Sequence, residues 1–274
     1  MRRAALLLVL LPHFAAAQGL EGMTCLLKPH EVVQLGSPVS GLLIEETVDR
    51  GDTVRAGQVV ASLESSVEVA TVALDRVKAT NDAAILAEQE DLALGQRNVQ
   101  RKQSLAASQI VNANSLDELQ TKVRQSELKI REAVTEQHIA QLTAARSAAQ
   151  LALKQIHASV NGVVIERKLS AGEYVYEQTP IMTIAQLDPL NVELVLPADR
   201  YGSVHVGDRA LVQPAEPIGG SFAARVVVVD PVIDAASNTF GVRLLLPNPD
   251  TRIPAGIRCG VTWQPTPQAT RTAP

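Results

Sequence analysis

The side chains able to hold a metal or move a proton are few and scattered. Five histidines occur, His13, His30, His138, His157 and His205, and none pairs with another at a metal-ligand spacing. No nucleophile, base and acid fall into a recognisable catalytic motif, so the chain reads as a non-enzyme without cofactor or metal. His138 and His157 read as surface residues of a long helix. The remaining chemistry is that of two cysteines at opposite ends of the sequence, Cys25 and Cys259. In an exported chain they form a disulfide, or they are two small core residues, since Cys259 lies on the apolar face of Ile257-Arg-Cys-Gly-Val-Thr-Trp263. Both readings stand at this point.

With so little reactive chemistry, the information lies in the elements themselves. Gly41 and Gly51 are ten residues apart, and so are Gly162 and Gly172. The first copy reads Pro38-Val-Ser-Gly-Leu-Leu-Ile, then Gly51-Asp-Thr-Val-Arg-Ala-Gly and on to Leu63. The second reads Ala158-Ser-Val-Asn-Gly-Val-Val-Ile, then Gly172-Glu-Tyr-Val-Tyr and on to Ile184. Each second glycine is followed by a valine, Val54 or Val175, and later by an aliphatic residue, Leu63 or Ile184. A β unit this short cannot bury a core alone, so the two copies are expected to pack on each other as one split domain.

The segment between them is helical. From Pro38 to Pro180 there is no other proline, and between Gly57 and Gly162 the one glycine is Gly95. Both residues are costly inside helices, by about 3 and 1 kcal/mol. Leu116, Leu119, Val123, Ser126, Ile130, Ala133, Gln137, Ala140, Ala144, Ser147 and Leu151 follow in steps of three and four, a narrow seam suited to one partner helix. That partner is expected over Ser66–Ala107, with Ile85, Leu92 and Val99 on the seam and Leu74, Val77, Ala84 and Leu105 as neighbours. The reversal is placed at 108–114, with Ser115 as N-cap and Glu118 completing a capping box. Arms of this length reach roughly 60 Å.

After Ile184, β-rich runs alternate with turn signals: Leu190–Leu196, Ala210–Gln213, Phe222–Val229, Gly241–Leu246 and Ile257–Trp263. Close turn spacing of this kind predicts an antiparallel barrel or sandwich. At the other end, Met1-Arg2-Arg3, a short apolar stretch and Ala15-Ala16-Ala17 have the three parts of an export signal. The stretch is shorter than the roughly 20 residues of a membrane span. A net charge of −4 excludes a strongly basic nucleic-acid binder, and 46% hydrophobic with 3% aromatic residues predicts cores of Val, Leu, Ala and Ile.

The order of these parts resembles the periplasmic adaptors, or membrane fusion proteins, of tripartite efflux pumps. The barrel carries the resemblance through Val206-Gly-Asp, Phe222, Val226, Asp230-Pro-Val-Ile-Asp234, Thr239, Asn248-Pro249 and Ile253-Pro-Ala-Gly256. The resemblance implies a mixed α and β, elongated fold: a split biotinyl/lipoyl-like domain, an inserted antiparallel coiled-coil hairpin, then an antiparallel β-barrel. The expected boundaries are a signal at 1–17, the N-terminal segment and first half-domain at 18–65, and the hairpin at 66–155. The second half-domain follows at 156–186, the barrel at 187–264 and a tail at 265–274.

Further implications concern partners. Adaptors of TolC-like outer-membrane channels carry an arginine, a leucine four residues on and a serine seven beyond that, near the hairpin tip. Here Arg101 and Leu105 match, and Asn112 stands in place of the serine. The resemblance implies an inner-membrane transporter, most simply a proton-driven resistance-nodulation-division (RND) pump, and self-assembly as a hexamer or trimer of dimers in the periplasm. An ATP-driven (ABC-type) exporter or a type I secretion system is the alternative transporter. The fourth, membrane-proximal domain of full-length relatives is expected to be absent or vestigial. Met23 and Met182 lie far apart, which disfavours a metal relay. A biotin or lipoate carrier is disfavoured too, because Ala61-Ser-Leu-Glu-Ser-Ser66 holds no lysine to modify.

Overall fold

The structure, a computed structural model, describes residues 23–106 and 113–264. The expected signal, the tail and Asn112 lie outside the described residues. The first half-domain holds β1 (Met23–Gly36), β2 (Gly41–Glu46), β3 (Thr53–Val54) and β4 (Val59–Leu63). Helices α1 (Ser66–Thr80), α2 (Ala83–Ala106) and α3 (Ala113–Ala152) follow. Then come β5 (Gln155–His157), β6 (Gly162–Arg167), β7 (Tyr174–Val175) and the long β8 (Pro180–Pro197). The chain ends on β9 (Arg209–Pro214), β10 (Phe222–Val229), β11 (Thr239–Leu246) and β12 (Arg258–Trp263).

The glycine repeat is a structural repeat with strands exchanged between its halves. β2 pairs with β7, Gly41 opposite Val175 and Leu42 opposite Tyr174. β6 pairs with β3 in the equivalent way, Gly162 opposite Val54 and Val163 opposite Thr53. Gly51 and Gly172 turn the chain at positive φ, 98° and 93°, and their N–H groups donate to Val164 O and Leu43 O at 2.8 and 2.7 Å. Gly162 is needed for close approach, since a Cβ there would lie 2.4 Å from Ala185 O. Even the bulges repeat, at Leu43/Glu45 and at Val164/Glu166. Between the halves lies a core of Leu43, Val54, Val60, Leu63, Val164, Val175, Ile181 and Ile184, all buried. Each such side chain contributes about 1.5–3 kcal/mol.

The barrel is closed. Its strands run β1-β12-β9-β10-β11-β8, and β8 pairs back onto β1. The period-two pattern expected of a half-buried strand holds on β11, where Phe240, Val242, Leu244 and Leu246 point inward and Arg243 outward. Strand β1 has a role the sequence reading did not assign. Its first half faces β12 in the barrel, and its last residues pair with the start of β8 in the split domain. β1 and β8 therefore run through both domains as a pair. Cys25 stands opposite Cys259 in the β1–β12 register, and the structure joins the two by a disulfide.

The helical insertion differs from expectation in four places. The first arm is two helices rather than one, broken at Asn81 and Asp82. Asn81 takes an extended conformation, and its side chain caps the next helix by accepting from Ala83 N–H at 3.1 Å. Leu74 and Val77 are exposed instead of facing the second arm, and Ala84 is exposed too. α3 begins at Ala113, so Ser115 sits in its first turn and not ahead of it. α3 ends at Ala152, and His157 belongs to β5, where its Nδ1 lies 2.9 Å from Gly57 O.

Candidate functional site

The hairpin is the part of the molecule shaped for reach. Its second arm, α3, is forty residues long, which at 1.5 Å per residue is about 60 Å. Every residue of its predicted seam, from Leu116 to Leu151, is at least partly buried, while Leu128, Ile139 and Leu142 outside the seam are exposed. On α2, Ile85, Glu88, Leu92, Gly95, Val99 and Lys102 are partly covered in matching steps, with Ala93 and Asn98 beside them. Gly95 lets the arms close, since a Cβ there would come within 3.1 Å of Val123. Lys129 bridges to Glu88 at 3.2 Å, and Lys154 to Glu68 at 3.1 Å. The Lys154 ammonium holds the Glu68 carboxyl below the ordinary range. Such pairs fix register more than they add stability.

Of the residues singled out for the tip, the structure describes Arg101 and Leu105. Leu105 is 53% exposed at the far end of α2. Arg101 is exposed too; its guanidinium donates to the Asn98 side chain one turn back, and Ser104 Oγ donates to its carbonyl at 2.8 Å. Gly41, Gly51, Gly162 and Gly172 lie at the other end of the hairpin, in the split domain.

The junction between split domain and barrel rests on two asparagines that sequence reasoning did not single out as site residues. Asn191, on β8, donates to the carbonyls of Pro29 and His30 at 3.2 and 3.1 Å, across the bulge in β1. Asn248 donates to Leu187 O and Ile253 O at 3.0 and 2.9 Å and accepts from Ile253 N–H at 3.1 Å. Both are buried; Asn191 bonds residues 161 and 162 positions away, and Asn248 ties Leu187, 61 positions back, to Ile253, five positions on. On the outer barrel wall, Glu193 lies between Lys28 and Arg243. Its carboxyl is held below the ordinary range by the Lys28 hydrogen bond, with Arg243 adding to the effect.

A β domain split by a helical hairpin and followed by a closed barrel has counterparts among known proteins. The family described as "CzcB-like, barrel-sandwich hybrid domain" matches residues 31–186, over half of the chain. The "CusB-like, beta-barrel domain" family matches residues 190–267. The chain belongs to the membrane fusion, or periplasmic adaptor, family. Among curated relatives of this membrane fusion protein is the pyoverdine export membrane fusion protein PvdR of Pseudomonas aeruginosa. It is 27% identical over 195 residues, 70% of this chain and 48% of its own. Multidrug resistance protein MdtA of Proteus mirabilis is 29% identical over 175 residues, 63% of this chain and 39% of its own. The crystal structure of MacA from Actinobacillus actinomycetemcomitans superposes with a TM-score of 0.72 at 18% identity, covering 90% of this chain and 80% of that one. That likeness shows the shared fold. The chain spans about half the length of the first curated relatives it matches. Among the described residues, no helix of this membrane fusion protein is long and apolar enough to cross a membrane, and no three His, Cys, Asp or Glu side chains cluster as a metal site would.

Proposed function

We propose that this chain is the periplasmic adaptor subunit of a tripartite efflux pump, bridging an inner-membrane transporter of the RND class to a TolC-like outer-membrane channel. The observation that carries the reading is the long hairpin itself. It leaves and re-enters a pseudo-symmetric β domain and ends on an exposed leucine, Leu105, that nothing in the fold of the described residues requires. Such a rod has no room for an active site but ample length for reach.

The export role in the name of PvdR and the multidrug resistance in that of MdtA support the same reading. The Arg101 and Leu105 spacing supports a TolC-like channel as the outer partner. Several copies would assemble side by side. Ile139 and Leu142 on α3 and Leu153 just after it, with Ile44, Tyr174 and Tyr176 on the split domain, are exposed apolar surface suited to that contact. The barrel would sit on the transporter, and the export signal would deliver the chain to the periplasm.

The test is Leu105→Asp in a strain whose resistance depends on this chain. The variant is expected to fold and accumulate normally, because residue 105 is exposed, yet to abolish efflux. Unchanged susceptibility at normal abundance would contradict the docking role.

A further inference from the structure

The first arm carries two rival phases, each a mixture of apolar and polar residues. In α1 the positions turned toward α3 are Glu68, Val72, Asp75 and Ala79, spaced by three and four. In α2 the matching series is Ile85, Glu88, Leu92, Gly95, Val99 and Lys102, spaced in the same way, with Ala93 and Asn98 partly covered beside it. The two series do not join. From Ala79 to Ile85 is one residue short of a heptad, and the helix is interrupted between them, at Asn81 and Asp82. α3 shows no matching interruption. A one-residue slip in a heptad series rotates the covered face by about 100° unless the helix breaks.

Running the α2 series back through the break gives Asn81, Lys78, Leu74, Thr71 and Val67. Two of these are large apolar residues left in solvent: Val67 is 73% exposed and Leu74 is 55% exposed, with Val77 beside them at 68%. In their stead the seam holds Val72, 3% exposed, with Asp75, 8% exposed and 3.7 Å from Lys78 Nζ, and Glu68, held by Lys154. Burying carboxylates while exposing aliphatic side chains is the reverse of what solvation favours. Local capping holds this arrangement. Glu64 Oε1 accepts from Ser66 N–H at 2.8 Å at the start of α1, Asn81 N–H donates to Lys78 O at its end, and Gln137 reaches Asn81 O at 3.4 Å from α3.

We infer that α1 is a two-register element: it packs on α3 either as described, with the helix broken at Asn81 and Asp82, or rotated by one residue, with Val67 and Leu74 in the seam and the arm continuous. The occupant of the exposed α1 stripe is thus α3 of the same chain. Because α1 joins the split domain to α2, switching register would re-aim the outer hairpin relative to the body. The device depends on no particular partner, and it stands whether or not the efflux reading does.

Cysteine pairs in the full chain, with the native disulfide kept, test this directly. The contacts of Glu68 with Lys154 and of Gln137 with Asn81 place Ala144 at the level of residues 74–75. Asp75→Cys with Ala144→Cys reports the described register, and Leu74→Cys with Ala144→Cys reports the rotated one. Leu94→Cys with Val123→Cys is the control, because Leu94 precedes the seam residue Gly95 as Leu74 precedes Asp75, but it lies mid-helix with no break nearby to release a second register. Under mild oxidation, with products mapped by mass spectrometry, the 74–144 bridge should form within about tenfold of the 75–144 rate, and the 94–123 bridge at least about a hundredfold slower. One alanine inserted between Asn81 and Asp82 restores the heptad count, and it should slow the 74–144 bridge about tenfold while sparing 75–144. Replacing Asn81 and Asp82 by alanine without insertion should favour 74–144. A 74–144 bridge no faster than the control, bridges formed only between chains, or failure of both Ala144 pairs would each overturn the proposal.

Discussion

Glu46 and Arg167 hold the same position in the two repeats, each five residues after the first glycine, and their side chains meet. Arg167 Nε donates to Glu46 Oε1 at 3.1 Å, and a second guanidinium nitrogen donates to Oε2. A residue near a two-fold axis meets its own equivalent. In a true homodimer that would set two like charges together. Because both halves lie in one chain, one copy holds the acid and the other the base. The contact ties the halves together across the hairpin insertion.

Arg167→Met is therefore expected to destabilise the split domain by about 3 kcal/mol, because it strands a carboxylate inside the fold. The Glu46 side chain is only 3% exposed. The double variant Glu46→Gln/Arg167→Met should be less destabilised than Arg167→Met alone, since no buried charge is then left unpaired. Urea unfolding of the three proteins checks the order.

Gln178 offers a second test of the repeat. It adopts φ 71° at the position where the first repeat has Gly57, at φ 83°. The left-handed conformation costs a side-chain-bearing residue about 1 kcal/mol. Gln178→Gly should raise stability by about that much, and Gly57→Gln should lower it similarly, both read from the urea midpoint.

Glu193 predicts a pH dependence of the barrel. Hydrogen bonding from Lys28, then from Arg243, lowers its folded pKa below the unfolded value. Its contribution is thus fully present above the ordinary carboxylate range and is lost as pH falls through the folded value. The side chain is about a third exposed, so the effect stays under about 1 kcal/mol. Wild type should exceed Glu193→Gln in stability at neutral pH, and the gap should close with acidification below about pH 4. A gap that widens there would contradict the assignment.

The split domain and the second arm were legible because their signals are local and periodic. Glycine spacing fixed two turns, and the three-four steps from Leu116 to Leu151 mark one face of one helix. The first arm misled for a physical reason. Leu74 and Val77 form the better apolar series, yet Glu68, Val72 and Asp75 are covered, and a two-residue break resets the phase beyond them. Strand β1 was missed because its partners, β8 and β12, lie more than 140 residues away in sequence. The Asn191 contacts with Pro29 and His30 share that cause. As a tip residue, Leu105 was marked by the resemblance alone, through its spacing from Arg101, and its exposure needed the fold.

The proposed bridging role makes a direct demand: a single chain must reach proteins of different membranes at its two ends. A photo-crosslinking amino acid at Ser221, on the barrel, and another at Leu105, on the hairpin, measure this in living cells. The account predicts an inner-membrane transporter trapped from position 221 and an outer-membrane channel trapped from position 105. Adducts to one and the same membrane protein from both positions, or none from position 105 at normal abundance, would contradict it.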